Sequence, residues 1–220
     1  EAWLDPTGQV IHKERTFPTG RLPKQVAFTH DMKELWVTSL DGPPSLFIHS
    51  VATGEKLLDL TLGEHGAVEV IFNADDTRAY VSQMETALVY ELDVQSRKVL
   101  RTMPTKGKWS KVLCLSADGK HLFVSNWLFA DISEIDLETG KVVRKLKTVD
   151  TPRGLYATKD GKWLYVAGFG KGELGKIDLK TGKTEVIFAG GAALRHIVGD
   201  EARNVLYISD MDKGTIWKLT

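Results

Sequence analysis

One short apolar motif recurs five times along the chain, and its period predicts the fold. Each copy ends its apolar run on a β-branched residue, and these residues are Val37, Val81, Val124, Val166 and Ile208. Consecutive copies are 44, 43, 42 and 42 residues apart. A fixed period of this length is the signature of a repeat architecture.

The fourth copy shows what one repeat contains. Apolar-rich stretches at 155–158, 163–167, 174–179 and 184–188 alternate with polar turns. Two of these turns contain Asp-Gly and Thr-Gly-Lys, in which glycine supplies the positive φ that hairpin turns require. Four short strands in each repeat are typical of a propeller blade, and we therefore predict an all-β fold, a β-propeller of four-stranded antiparallel blades. A solenoid of stacked hairpins is the alternative.

The repeats predict a single propeller domain over 1–220. Their approximate bounds are 18–61, 62–105, 106–148, 149–189 and 190–220, with 1–17 added to the last. Because the last repeat contains only three strands, we expect a strand within Gln9–Phe17 to complete it and close a five-bladed ring. The alternative is a fragment of a seven-bladed ring, since Ala2–Asp5 resembles the end of a third strand that Ile216–Leu219 already provides.

Several segments resemble the YVTN-type β-propeller repeat. The likeness is strongest in the fourth and third copies, at Thr151–Leu155, Lys159–Val166, Ile177–Lys183, Leu115–Lys120, Leu122–Asn126 and Ile135–Lys141. Members of that family are usually seven-bladed bacterial or archaeal proteins outside the cytoplasm, and relatives include lactonases, surface-layer proteins and subunits of periplasmic redox enzymes. The resemblance implies a periplasmic or secreted protein, although the given chain has no signal peptide and five repeats instead of seven.

Composition and charge exclude two classes of partner. The 29 basic and 29 acidic side chains cancel, so no long-range field favours nucleic acid. No apolar run approaches the ~20 residues of a membrane span, and we expect no membrane insertion. The contents of 42% hydrophobic and 26% charged residues are ordinary for a globular domain.

Alignment of the copies reveals a basic position where each innermost strand begins. It holds Lys24, Val68, Lys111, Arg153 and Arg195, and the following position holds Gln25, Glu69, Val112, Gly154 and His196. If the four cations point inward, they form a positive collar that suits a carboxylate or phosphate. The alternative is that these long side chains lie over neighbouring blades and extend to solvent. The collar residues, with Glu69 and His196, are our candidate ligand-binding residues.

A second set of equivalent residues follows the second strand of each repeat. It comprises Ser39, Gln83, Asn126, Gly168 and Asp210, each followed by an apolar or aromatic residue: Leu40, Met84, Trp127, Phe169 and Met211. These residues either line the channel mouth or pack between blades. We add Asn126 and Asp210 to the candidate site.

The sequence offers no anchor for catalysis. The six histidines show no ligand spacing, Glu69, His196 and Asp210 are scattered over two repeats, and Cys114 has no neighbouring base. We therefore predict no catalytic residues, no metal and no cofactor, and a non-catalytic scaffold that binds a protein, a glycan or a small anion. The alternative is a lactonase-like hydrolase with calcium or another divalent cation in the channel. Self-association through open blade edges is a further expectation.

Overall fold

The chain forms a five-bladed β-propeller, as the sequence predicts. The structure, a computed structural model, describes residues 3–4, 10–11 and 15–220. Five antiparallel sheets make up the blades, four of them with four strands and the last with three. None of the described residues belongs to a helix long and apolar enough to span a bilayer.

The strands follow the chain blade by blade. Blade 1 contains β3 (Pro23–Phe28), β4 (Glu34–Ser39), β5 (Leu46–Ser50) and β6 (Lys56–Leu60). Blade 2 contains β7 (Glu69–Phe72), β8 (Arg78–Gln83), β9 (Leu88–Asp93) and β10 (Lys98–Pro104). Blade 3 contains β11 (Ser110–Leu115), β12 (His121–Asn126), β13 (Asp131–Asp136) and β14 (Lys141–Lys147). Blade 4 contains β15 (Pro152–Ala157), β16 (Trp163–Gly168), β17 (Leu174–Asp178) and β18 (Thr184–Phe188). Blade 5 contains β19 (Leu194–Asp200), β20 (Val205–Asp210) and β21 (Thr215–Leu219), with a single 3₁₀ turn at Glu201–Arg203.

The strand expected to complete blade 5 has a different partner in the described residues. β2 (Val10–Ile11) pairs with β1 (Trp3–Leu4) in a separate two-stranded sheet, and β21 ends blade 5 as its third strand. Residue 9 and residues 12–14 of the predicted strand lie outside the described residues.

An aspartate closes the turn between the first two strands of blades 1–4. Its carboxylate accepts a hydrogen bond from the backbone N–H two residues later at 3.0–3.1 Å, at Asp31, Asp75, Asp118 and Asp160. The two turns without glycine reach the same geometry, because Met32 (φ 58°) and Asp76 (φ 54°) adopt the left-handed conformation of Gly119 (φ 67°). The repeated aspartate therefore maintains the turn where the Asp-Gly pair is lost.

The core consists of apolar layers between neighbouring blades. Trp36 and Ile48 of blade 1, for example, pack with Val70 and Val81 of blade 2, and all four are almost fully buried. The two end blades differ, because each has one face without a neighbouring blade in the described residues. The residues Val26 and Phe28 of β3, and Val198, Tyr207 and Ile216 of blade 5, are accordingly exposed. Self-association through these blades stays a prediction.

Two arginines on outer strands each connect their blade to the turn that follows the third strand of the next blade. Arg144 Nε donates to Glu134 Oε2 at 2.6 Å, while Arg144 Nη1 donates to the Leu179 carbonyl of blade 4 at 2.8 Å. Arg101 repeats the arrangement, binding Glu91 within blade 2 and the Leu137 carbonyl of blade 3. Each guanidinium thus neutralises a buried carboxylate and links two blades.

We expect Arg144→Ala to lower the free energy of unfolding by about 2 kcal/mol, because it leaves the buried Glu134 carboxylate with a weaker partner. Urea denaturation measures the change. Arg203→Ala is the control, since Arg203 forms an exposed pair with Asp200 that contributes less than about 0.5 kcal/mol. Equal losses in the two variants would contradict the role of Arg144.

Candidate functional site

The first strands of all five blades converge on one small cavity at the mouth of the channel. Its volume is about 50 Å³. It is lined by Lys24, Gln25, Val68, Glu69, Val112, Arg153, Arg195 and His196. The structure therefore brings five of the eight predicted site residues to one cavity, because the innermost strands are the part of each blade nearest the axis.

The collar cations lie on β-bulges. In blade 3 the register shifts between Ser110 and Leu113, so that Lys111 and Val112 lie opposite the single residue Ser125. Blades 1, 4 and 5 show the same shift at Lys24, at Arg153–Gly154 and at Arg195–His196. A bulge places an extra residue in one strand and redirects its side chain, which explains how consecutive residues both reach the channel.

At the bulges, some backbone N–H and C=O groups have no partner in the regular strand pairing. Serine side chains of the second strands form hydrogen bonds with these groups instead. Ser125 Oγ accepts from the Val112 N–H at 3.0 Å, and Ser209 Oγ accepts from the His196 N–H at 3.1 Å. Ser82 Oγ donates to the Lys111 carbonyl of the next blade at 2.6 Å. These hydrogen bonds hold the bulged strands in place and connect neighbouring blades beside the cavity.

Two arginine side chains in the cavity wall each have a buried Nε atom without a hydrogen-bond partner among the described residues. The Arg153 side chain belongs to a residue only 7% exposed, and its Nε has no hydrogen-bond partner among the described residues. Arg195 Nε is in the same condition, although its Nη1 approaches Met211 Sδ at 3.3 Å. Buried polar groups are normally paired, so these two N–H donors are available to a ligand.

Lys111 lies beside the cavity, over aromatic rings. Its Nζ is 3.1 Å from the ring centroid of Trp127, and the Arg153 guanidinium carbon is 5.3 Å from the same centroid. The Trp127 ring packs on Phe169 with 4.9 Å between centroids. The predicted aromatic positions at the ends of the second strands therefore lie at the mouth, where they support two collar cations.

Burial and the neighbouring positive charges lower the pKa values of three basic side chains at this site. Burial, followed by the charges of Arg153, Lys24 and Arg195, lowers the pKa of Lys111 to about 7. Burial and the charges of Arg153 and Arg195 also lower the pKa of Lys24. Partial desolvation and the same cations lower the pKa of His196, which is therefore neutral near pH 7.

Glu69 is the carboxylate of the cavity wall. Burial raises its pKa to about 7, against the opposing effects of a hydrogen bond from the Leu113 N–H at 2.5 Å and of the Arg153 charge. Near neutral pH, Glu69 in the cavity wall and Lys111 beside the cavity are therefore both close to half-protonated.

Asn126 and Asp210 do not line the cavity. Asn126 is fully buried, where it accepts from Ser110 Oγ at 2.8 Å and donates to Asp131 at 2.7 Å. Asp210 accepts from the backbone N–H groups of Ala192 and Ala193 at 2.9 and 3.0 Å. Both side chains form hydrogen bonds with the segment that enters their own blade, so these polar groups stabilise the backbone at the mouth.

Sequence reasoning missed the residue that extends the site outward. Trp109 lies 5.4 Å from Lys111, measured from the ring centroid to Nζ, and is 40% exposed. The signal was present in the dense cluster Lys106-Gly107-Lys108-Trp109 immediately before the collar position. Its equivalents in the other repeats are dissimilar, so alignment of the copies did not reveal it.

The described residues contain no group of three or more His, Cys, Asp or Glu side chains placed to hold a metal ion. Burial raises the pKa of the Cys114 thiol to about 11, so the reactive thiolate is scarce at neutral pH.

Comparisons with known proteins show the fold and leave the family open. No family model matches the chain, so the resemblance to the YVTN-type repeat stays a prediction. The chain is 32% identical over 169 residues to antigen Lp49 of Leptospira interrogans serogroup Icterohaemorrhagiae serovar copenhageni, a match that covers 71% of this chain and 35% of that protein. The chain thus spans about a third of the length of this curated relative. Hydrazine synthase of Kuenenia stuttgartiensis superposes with a TM-score of 0.75 and 19% identity, over 94% of this chain and 69% of that chain.

The raised pKa of Glu69 predicts that the free energy of unfolding depends on pH. The folded protein retains a proton that the unfolded chain loses above its ordinary pKa of 4.5, so the stabilisation is present at pH 4.5 and is lost as the pH rises through about 7. Between pH 5 and pH 8 we expect the wild type to lose about 1–3 kcal/mol more than Glu69→Gln, which keeps an acceptor for the Leu113 N–H. Unfolding at both pH values measures this, with the exposed Glu138→Gln as control. Parallel pH profiles of wild type and Glu69→Gln would contradict it.

Proposed function

We propose that this propeller is a non-catalytic binding module that takes a small anionic group, a carboxylate or a tetrahedral oxyanion, at the mouth of its channel. The observation that carries the proposal is the pair of arginines in the cavity wall, Arg153 and Arg195, whose buried Nε donors have no partner among the described residues. An anion between them would satisfy both donors and offset the repulsion between the two charges.

The charge balance of the cavity supports this assignment. Three cationic side chains, Lys24, Arg153 and Arg195, line it, and Glu69 is the carboxylate among the lining residues. Lys111 lies beside them, over Trp127. The lowered pKa values of Lys24 and Lys111 reflect burial first, and then repulsion by the neighbouring cations, including Arg153 and Arg195. A bound anion would relieve that repulsion, so binding and protonation of Lys111 favour each other.

The size of the cavity limits which part of the ligand it holds. A volume of about 50 Å³ compares with about 30 Å³ for the share of one water molecule in the liquid. A carboxylate or a sulfate-sized group fits, and the remainder of any larger ligand lies outside, over the aromatic side chains of the mouth.

The same cations weigh against the alternative, a lactonase-like hydrolase with calcium or another divalent ion in the channel. Like charges within a few ångströms raise the free energy of a bound divalent cation. The described residues also contain no cluster of oxygen and imidazole ligands there. We therefore assign the channel to an anion.

We further propose that the protein acts outside the cytoplasm. The resemblance to extracytoplasmic propellers supports this location, and the similarity to a protein described as an antigen is consistent with it.

Anion binding is testable by calorimetric titration with sulfate and acetate. We expect Arg153→Ala and Arg195→Ala each to weaken binding at least tenfold, because each removes a charged donor of the cavity, worth about 1.5–3 kcal/mol. Arg203→Ala is the matched control, since Arg203 is highly exposed and pairs with Asp200 outside the mouth. Unchanged affinity in both collar variants would overturn the proposal.

Sulfate affinity should also fall as the pH rises from 6 to 8.5. Lys111 loses its proton and Glu69 becomes charged near pH 7, and both changes make the cavity less positive, while sulfate keeps its charge. In Lys111→Met the affinity should be lower at pH 6 and should change less with pH. A pH-independent affinity in the wild type would show that neither group acts on the anion.

A further inference from the structure

A rigid basic and aromatic loop stands beside the anion cavity. It joins β10 to β11 through residues 105–109, and it exposes Lys106, Lys108 and Trp109 to solvent. The loop leads directly into Lys111, so its side chains border the collar on the side of blade 3.

Buried hydrogen bonds hold this loop in one conformation. Thr105 Oγ1 and Ser110 Oγ lie 2.7 Å apart, and Ser110 Oγ donates to Asn126 Oδ1 at 2.8 Å. Ser133 Oγ donates to the Thr105 carbonyl at 2.6 Å. A Cβ on Gly107 would lie 1.8 Å from Asn126 Oδ1, so only glycine allows the loop to lie this close. The loop is therefore preorganised, which lowers the entropic cost of binding.

The fold itself does not require a tryptophan at position 109. The backbone there is left-handed (φ 57°), as is the equivalent Thr151 (φ 51°) of the next blade. In both blades the carbonyl of this residue accepts one hydrogen bond from the end of the second strand, at 3.2 Å from Trp127 and 3.0 Å from Phe169. A small residue would meet the same geometry with less strain. A large ring that is 40% exposed at this position points to a contact with a ligand.

The distances connect this ring to the collar cations. Lys111 Nζ lies 3.1 Å from the Trp127 centroid and 5.4 Å from the Trp109 centroid, and the Arg153 guanidinium carbon lies 5.3 Å from the Trp127 centroid. A ligand that lies on Trp109 can therefore present an attached carboxylate to the collar.

We propose that the ligand is a sugar acid of the uronate type, with its carboxylate in the collar and one face of its ring against Trp109. This assignment rests on the proposed function. A sugar ring has an apolar C–H face for the indole and hydroxyl groups at its edge, and the exposed Lys106 and Lys108 of the same loop provide N–H donors for those hydroxyls. A flat aromatic acid would use the indole and leave both lysines without acceptors.

The test compares four probes by calorimetry: acetate, methyl glucuronide, the neutral methyl glucoside and benzoate. In the wild type we expect methyl glucuronide to bind about tenfold more tightly than acetate, a gain typical of one ring stacked on an aromatic side chain. The neutral glucoside should bind more weakly than either, because it has no carboxylate for the collar. Trp109→Ala should remove the gain of the glucuronide, so that the glucuronide and acetate bind this variant with similar affinity. Tyr207→Ala, which removes an aromatic residue of similar exposure (39%) from blade 5, is the matched control and should change neither affinity.

The outcomes separate this inference from the proposed function. If acetate binds and methyl glucuronide binds no more tightly, the anion site stands and the sugar assignment is overturned. If benzoate gains as much through Trp109 as the glucuronide does, the sugar assignment also fails. If neither acetate nor methyl glucuronide binds the wild type, the proposed function fails and this inference falls with it. Equal melting temperatures of the wild type and Trp109→Ala confirm that the variant is folded.

Discussion

The convergence of the five inner strands on one axis is the constraint that shapes this molecule. Neighbouring blades bury their apolar surfaces against each other, so their first strands must approach closely near the axis. At Gly154 a Cβ would lie 2.2 Å from the Arg195 carbonyl oxygen, which shows how little space remains between blades 4 and 5. Residues that occupy the same position in successive repeats, some 42 residues apart, therefore become neighbours. This geometry forces Arg153, Arg195, Lys24 and Lys111 together without any sequence proximity.

Much of the fold was predictable because its determinants are local. Alternating apolar residues, and glycine or aspartate at the turns, specify strands and hairpins within a few residues, and the period specifies how often the unit recurs. The basic collar was predictable as well, since strict repetition implies equivalent placement. What sequence could not supply is the direction of each side chain. The bulges at Lys111 and Arg195 direct consecutive residues to the channel, and no local pattern marks them.

The positions of Asn126 and Asp210, outside the lining of the cavity, have a related physical origin. Both residues end a second strand near the mouth, and both have polar side chains that suit a ligand. However, each blade must also bind the loop that enters it, and a buried loop leaves backbone and hydroxyl groups that need partners. Asn126 and Asp210 supply those partners. Equivalent positions in a repeat can thus be polar for reasons of folding, and only the hydrogen bonds separate these residues from those that face the cavity.

Burying several cations close together in the collar is unfavourable, and the apolar packing between the blades offsets this cost. Lys111 is held over Trp127 at 3.1 Å, so the aromatic ring offsets part of the cost of burying a cation among other cations. Glu69 offsets another part, but its pKa near 7 shows that its own burial is also unfavourable. A proton lost by Lys111 and a proton lost by Glu69 both reduce the positive charge of the same cavity. The cavity therefore combines two titrating groups whose effects add, and a small change in pH near neutrality alters its charge more than either group alone would.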